Sequence, residues 1–387
     1  MWKKGIVLLT VGALFISTAL SAAAVEKQEE KKQSVKLELP VKSAILMEQK
    51  TGKILYTENA EEKMPPASVT KIMTLLLVME EIESGNLKYT DKVTCTAHAS
   101  SMGGTQIWLE VGEQMSVDDL IKATAVNSAN DASVALGEHV SGSEETFVDL
   151  MNRRAKQLGM NNTTFKNATG LDADGHLTTA HDIAIMSREL LKHRDITKYS
   201  TIWMDTLRGG KTGLTNTNKL VRFYEGCTGL KTGTTDGAGH CVSASAKRGN
   251  MELIAVVMGA KTGDDRFGAA RKLLDYGFAN YQTYQVQSHK TFEPVKVLKG
   301  EKNLVNVTAD TSYSTVIPKG KDSKIEEKLI LSESLSAPVE KGQTIGKIVI
   351  MLESEKLCEI PVKTIEYVGK RGFFSSLRIL FRTAFCG

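Results

Sequence analysis

Residues 230–258 read LKTGTTDGAGHCVSASAKRGNMELIAVVM, a stretch with a period of two. That is the period of a strand whose side chains point alternately to opposite faces. Asp236-Gly237-Ala238-Gly239 and Gly249-Asn250 carry turn chemistry. Leu230–Thr235, His240–Lys247 and Met251–Met258 are therefore predicted to form an antiparallel meander. Downstream, Asp264–Phe278 is predicted as a closing helix, and upstream Val41 to Thr57 reads as a hairpin around Gln49-Lys50-Thr51-Gly52. Between the hairpin and the meander the pattern is helical. Ile72, Leu75, Leu76 and Met79 share one face of a stretch from Ser68 to Glu83, and further helices are predicted near Val117–Ala125, Ala129–Val140, Glu144–Leu158 and Ala180–Lys192. Strands, a helical block, then strands and a helix predict an α+β fold over residues 37–283, an α/β sandwich of antiparallel sheet and helical subdomain.

After Tyr284 the composition changes to short strands between turn signals, with no convincing helix before the tail. Val295-Lys296-Val297, Leu304–Val307, Thr315-Val316-Ile317, Lys328–Ser332, Gly346–Met351 and Lys356–Val362 predict a small all-β C-terminal domain over residues 284–366. It concentrates neither nucleophiles nor metal ligands, which suits a structural or spacing role. The whole chain, 387 residues at 41% hydrophobic and 24% charged, has globular composition, which excludes wholesale disorder and a polytopic membrane protein. A formal charge of +4 is too mild to imply a nucleic-acid partner. Five cysteines without a CxxC pair give neither a disulfide framework nor a zinc site.

Both ends are specialised. Lys3 and Lys4, the uncharged run from Gly5 to Leu20 and then Ser21-Ala22-Ala23-Ala24 make residues 1–24 an expected signal peptide, with an uncleaved anchor as the alternative. Either way the protein is expected outside the cytoplasm, behind a charged leader from Glu26 to Gln33. At the other end, Phe373, Phe374, Leu377, Leu380, Phe381 and Phe385 recur at helical spacing, with Arg378 and Arg382 set apart from most of them. Residues 370–387 are expected to form an amphipathic basic helix resting on a membrane surface, or else a helix packed on its own domain.

Three short motifs carry the chemistry. Ser68-Val69-Thr70-Lys71 is the only S-x-x-K in the chain, and positions i and i+3 of a helix start share a face, so Lys71 can reach Ser68. A serine hydroxyl needs a base, and a lysine serves if burial lowers its pKa. A simple capping serine would leave the lysine unexplained. Ser128-Ala129-Asn130 places a hydroxyl and an amide two residues apart in a loop before a helix, suited to relaying a proton and holding a substrate backbone group. Ser84-Gly85-Asn86 has the same form but ends a helix, about four turns from Ser68. Besides the hairpin turn Lys50-Thr51-Gly52, Lys-Thr-Gly occurs at residues 211, 231 and 261. Only the middle copy is expected within a strand, where Lys231 and Gly233 share a face and glycine admits a ligand close to the backbone.

Together these motifs resemble the active site of penicillin-binding proteins and serine β-lactamases. Gly170-Leu171-Asp172, Gly175-His176, Asn216-Thr217-Asn218, Gly229 through Ala238-Gly239 and the strand end Val257–Gly259 extend the resemblance across roughly residues 37–365. The match is to the low-molecular-weight D-alanyl-D-alanine carboxypeptidases, the S11 peptidases, including the sporulation-associated kind. That resemblance implies Ser68 as acylated nucleophile, Lys71 as its base, and Ser128 and Asn130 as helpers in proton return and substrate placement. Lys231, Thr232 and Gly233 would receive the terminal D-alanine carboxylate. The N–H groups of Ser68 and Thr234 would form the oxyanion hole, and Arg266 is either a second cation for that carboxylate or an ordinary exposed arginine. It further implies peptidoglycan stems ending in D-Ala-D-Ala as substrate, β-lactams as inhibitors, no cofactor and no metal, and attachment to the outer face of the cytoplasmic membrane.

Other readings are weaker. A Ser-His-Asp hydrolase lacks a G-x-S-x-G elbow, although His181-Asp182 and His240 exist, and a metal hydrolase lacks HExxH. Cys241 is expected to pack as a small hydrophobe. A class A-like β-lactamase would not need the β-rich second domain or the basic tail, and no E-x-x-L-N segment is present. A catalytically inert wall-binding scaffold would have no use for Ser68, Lys71 and Lys231.

Overall fold

Met251–Ala260 is apolar at nearly every position, and a strand of that kind must be covered on both faces. In the computed structural model, which describes residues 36–286, 292–309 and 313–373, all ten of its residues are buried. The predicted signal peptide, the charged leader and residues 374–387 of the predicted tail lie outside the described residues. The described residues from Leu39 onward belong to one compact unit, and residues 36–38, which fall outside it, lack regular secondary structure.

The main sheet holds five antiparallel strands: β1 (Ser43–Glu48), β2 (Ile54–Glu58), β3 (Cys227–Thr235), β4 (Gly239–Arg248) and β5 (Met251–Ala260). Their order is β2-β1-β5-β4-β3. The hairpin and the meander predicted from the sequence thus meet at β1 and β5, where Ile45 pairs with Val256. Alternation then sorts the side chains. Ile45, Met47, Ile254, Val256 and Met258 enter the core shared with the helical block. Leu46 and Leu253 face the closing helix α5 (Gly263–Asn280), where a Cβ on Gly277 would stand 2.8 and 2.5 Å from them. Only glycine lets that helix lie so close to the sheet.

The helical block comprises α1 (Lys71–Glu83), α2 (Asn130–Ser141), α3 (Glu144–Gln157) and α4 (Ala180–Leu190). The sequence predicts one apolar face on α1. Instead its first nine residues are all buried, Lys71 and Thr74 included, because α1 is the central helix with α2 and α4 packed against it. An all-round buried helix start is what places a lysine away from water.

The C-terminal part is all-β, with its own core around Val297, Val305, Ile348, Ile350, Ile360 and Val362. A four-stranded sheet runs Val307–Ala309, Glu355–Thr364, Thr344–Leu352, Ile325–Leu331, and Leu304–Val305, Val295–Leu298 and Ser334–Ser336 form a smaller one. The chain leaves α5 directly into the strand Tyr281–Gln285, which pairs antiparallel with Ser314–Pro318. The boundary expected between residues 283 and 284 falls inside that strand. Lys53, just before β2, donates to the carbonyl of Val316 at 3.2 Å.

Candidate active site

Ser68 lies on a tight 3-10 turn, Ala67–Thr70, that runs into α1. Such a turn stacks residues i and i+3, so Lys71 projects beside Ser68. Its Nζ donates to Ser68 Oγ at 3.0 Å, to Asn130 Oδ1 at 2.6 Å and to the Thr169 carbonyl at 2.7 Å. Those are the three donors an ammonium has. Neither helix start has a side-chain cap, so the Ser68 hydroxyl is not spent on capping. Lys71 is fully buried. Burial first, and the nearby Lys231 second, hold its pKa well below the usual lysine range, while Asp131 pulls the other way.

The second motif sits where a helix loses its register. Val117–Lys122 is α-helical as predicted, but Ala123–Asn127 widens into a π-turn and stops at Ser128, which is left-handed at φ 65°. Wide turns of this kind interrupt helices at functional sites. Ser128 and Asn130 are both buried, and Asn130 opens α2. Its carboxamide is committed at both ends: Oδ1 accepts from Lys71 and Nδ2 donates to the Gly103 carbonyl at 2.7 Å. Its backbone N–H donates to the Thr105 carbonyl, also at 2.7 Å.

On β3, Lys231 is buried, with its pKa lowered to about 7 by burial and by Arg266. Its Nζ donates to the Thr232 carbonyl at 3.0 Å, and the Thr232 hydroxyl donates to Thr217 Oγ1 at 2.7 Å. Gly233 abuts the Ser68 turn, since a Cβ there would come within 2.8 Å of the Ser68 nitrogen and of the Ala67 methyl. Arg266 is not the exposed arginine of the alternative reading. It is buried in the first turn of α5, with Nη1 3.2 Å from each of the Gly233 carbonyl, Thr234 Oγ1 and the Cys241 carbonyl. Among the described residues its Nε has no partner, and burial lowers its pKa to about 10. Thr234 Oγ1 also lies 3.2 Å from His240 Nδ1.

One expectation needs correcting. Lys211-Thr212-Gly213 also enters a strand, Thr212–Thr215, which pairs with Met204–Leu207. Strand context therefore does not single out the middle copy. Burial does, because Lys211 and Lys261 are exposed whereas Lys231, on the strand that packs on the Ser68 turn, is buried.

The sequence gives no sign of two contributors. The Thr169 carbonyl carries no side-chain signature. Its loop is held by Asn167 Oδ1, which accepts from the N–H groups of Thr169 and Gly170 at 3.2 and 2.7 Å. Gly170, at φ 88°, leaves no room for a side chain: a Cβ would fall 1.8 Å from the Ala67 carbonyl oxygen. Asp131 is the second, a fully buried carboxylate directly after Asn130. Of the rival histidines, His240 stands beside Thr234 and His181 does not reach the site. His176 is buried, with its pKa lowered to about 4, and lies 3.1 Å from Thr70 Oγ1, while His181 pairs with Glu61 at 2.6 Å. No group of three metal-binding side chains occurs among the described residues.

The fold and this serine–lysine pairing define a serine hydrolase of the penicillin-binding class. A family model described as D-alanyl-D-alanine carboxypeptidase, peptidase S11, matches residues 27–262, and one for the penicillin-binding protein 5 C-terminal domain matches residues 281–370. The chain is 44% identical over 381 residues to the D-alanyl-D-alanine carboxypeptidase DacF of Bacillus subtilis, covering 97% of each. It is similar to the crystal structure of penicillin binding protein 5 from Haemophilus influenzae, with a TM-score of 0.79 and 34% identity over 87% of this chain and 99% of that one. It also resembles ampicillin-bound penicillin-binding protein D2 of Listeria monocytogenes, with a TM-score of 0.58 and 34% identity over 63% of this chain and 99% of that one. The chain belongs to the peptidase S11 family of D-alanyl-D-alanine carboxypeptidases. Its reaction is removal of the terminal D-alanine from peptidoglycan stems through an acyl-enzyme, it binds penicillin, and its site of work is extracytoplasmic.

Proposed function

We propose that Ser68 is the residue acylated and that Lys71 is the base that activates it. The observation that carries this is the trio of acceptors around Lys71 Nζ. In the neutral amine, Asn130 and Thr169 take the two remaining hydrogens, and the lone pair then faces Ser68 Oγ. Lys71 removes the Ser68 proton as Oγ attacks the carbonyl of the penultimate D-alanine. The N–H groups of Ser68 and Thr234 receive the oxyanion, at about 3–4 kcal/mol per donor. Collapse breaks the peptide bond, and the proton held on Lys71 passes by way of Ser128 to the departing D-alanine amine. Water then hydrolyses the ester, releasing the shortened stem and restoring the serine. Asn130 orients the acyl part. Lys231, Thr232 and Arg266 receive the terminal carboxylate, Gly233 leaves it space, and the unpartnered, buried Arg266 Nε supports that role.

Ser68→Ala should abolish both D-alanine release and attachment of labelled penicillin, read by peptide mapping of the adduct. An adduct retained on another residue would reject this serine.

We also propose export by residues 1–24, which are removed, and attachment to the membrane surface by residues 370–387, with use in the sporulation-associated setting that the sequence resembles. No helix among the described residues is long and apolar enough to cross a membrane.

A further inference from the structure

Trp108 stands in solvent on a loop that the active site itself holds. It is 74% exposed, between Ile107 and Leu109 at 1% and 4%. Its φ of 58° lies in the left-handed region, where a bulky side chain is strained. Two staples keep it there. On one side the Asp131 carboxylate accepts from the Ile107 N–H, 3.2 and 3.1 Å from its two oxygens, and from the Leu109 N–H at 3.0 Å. On the other, Arg208 donates to the carbonyls of Ile107 and Trp108 at 2.8 and 3.4 Å. Arg208 also grips Glu113 through Nε and Nη2 at 2.7 and 3.0 Å. The same loop gives Asn130 its Gly103 and Thr105 carbonyls.

Such strain, about 1–3 kcal/mol, persists only where the surroundings impose it, and it concentrates at ligand sites. Burial of the indole cannot be the return, since the ring is in water. Trp108 is the third residue after Thr105, so its Cα lies about 10 Å of chain or less beyond the Asn130 contact. Leu171, 39% exposed, comes from the facing Thr169 loop and would lie 3.8 Å from a Cβ on Gly104. Leu171 thus adds a second exposed apolar side chain, close to the Asn130 contact.

We propose that Trp108 is a platform on which the muramyl sugar of the stem stacks. The proposal rests on Ser68 and Asn130 forming the acylation site. A pyranose ring presents a face of C–H groups, and an indole offers the broadest flat apolar surface of any side chain together with one N–H for a hydroxyl. The reach suffices. The sugar is about four residues from the reacting carbonyl, roughly 13 Å of extended peptide, which is longer than the roughly 10 Å of chain from Thr105 to Trp108. Fixing the loop from both sides means that the ring need not be ordered when substrate arrives.

The test compares wild type, Trp108→Ala and Trp108→Phe on a bare pentapeptide stem, the same stem carrying its muramyl sugar, and a labelled penicillin. Trp108→Ala should lower kcat/KM about tenfold on the sugar-bearing stem alone, with Trp108→Phe recovering most of it, and leave the other two within about twofold. Equal losses on both stems would overturn the sugar assignment in favour of a peptide contact. A parallel fall in penicillin acylation would overturn it in favour of a prop for Asn130. If wild type itself released D-alanine from neither stem, the reading of the reaction would fail before the platform did.

Discussion

Lys71 and Lys231 stand close enough that each charge disfavours the other, and both are out of water. This has two measurable consequences at the scale of single residues. With Lys71 as the proposed base, acylation needs it neutral, so kcat/KM should rise with pH through a transition well below the ordinary lysine range. With Lys231 in its proposed role, recognition of a carboxylate needs it charged, and in the free enzyme that charge is lost above about 7. The profile for a free-acid stem should therefore be a bell, whereas a C-terminally amidated stem, poorer throughout, should keep the rising limb and lack the falling one. The second consequence is for stability. An unfolded Lys231 holds its proton to about 10.5 and the folded one only to about 7. Between those values the unfolded state binds more protons, and stability drops as pH falls. Lys231→Met should be more stable than wild type, by an amount that grows from pH 10 down to pH 7 and reaches on the order of 3–5 kcal/mol there. Thermal unfolding across that range checks it, alongside a raised KM for the free-acid stem.

At the scale of elements, the nucleophile's turn is pressed between β3 and the Thr169 loop. Gly233→Ala would force β3 away from the Ser68 backbone and should slow penicillin acylation at least tenfold, at a destabilisation of about 1–3 kcal/mol. Stopped-flow labelling with a melting curve separates the two effects. The same packing shows which elements were legible in the sequence. The meander, the hairpin and α5 were readable because turn residues and a period of two are local signals. Ser68, Lys71 and Asn130 were readable because their spacing is local too. The Thr169 carbonyl was not, since a backbone atom has no letter of its own. The all-round burial of α1 was not, because it depends on α2 and α4 arriving from later in the chain. Strand context does not choose among the Lys-Thr-Gly copies, since a strand takes in Thr212-Gly213 as well, and what sets Lys231 apart is its burial.

For the whole molecule, the strand Tyr281–Gln285 continues α5 without a loop and pairs with Ser314–Pro318, so the C-terminal β part is joined to the catalytic fold by hydrogen-bonded backbone as well as by a linking segment. That suits a spacer between the site and an attached tail. Ending the chain after residue 369 should shift the protein from the membrane pellet to the supernatant with D-alanine release within about twofold of wild type. Continued pelleting would count against the tail. Gly170 and Gly233 close in on the backbone around Ser68 from opposite sides, with room for no larger residue. A bacterium under antibiotic selection therefore has little scope to reshape this enzyme's nucleophile turn against the drug without forfeiting the cell-wall substrate, and changes that spare the enzyme must arise farther out, along the rim.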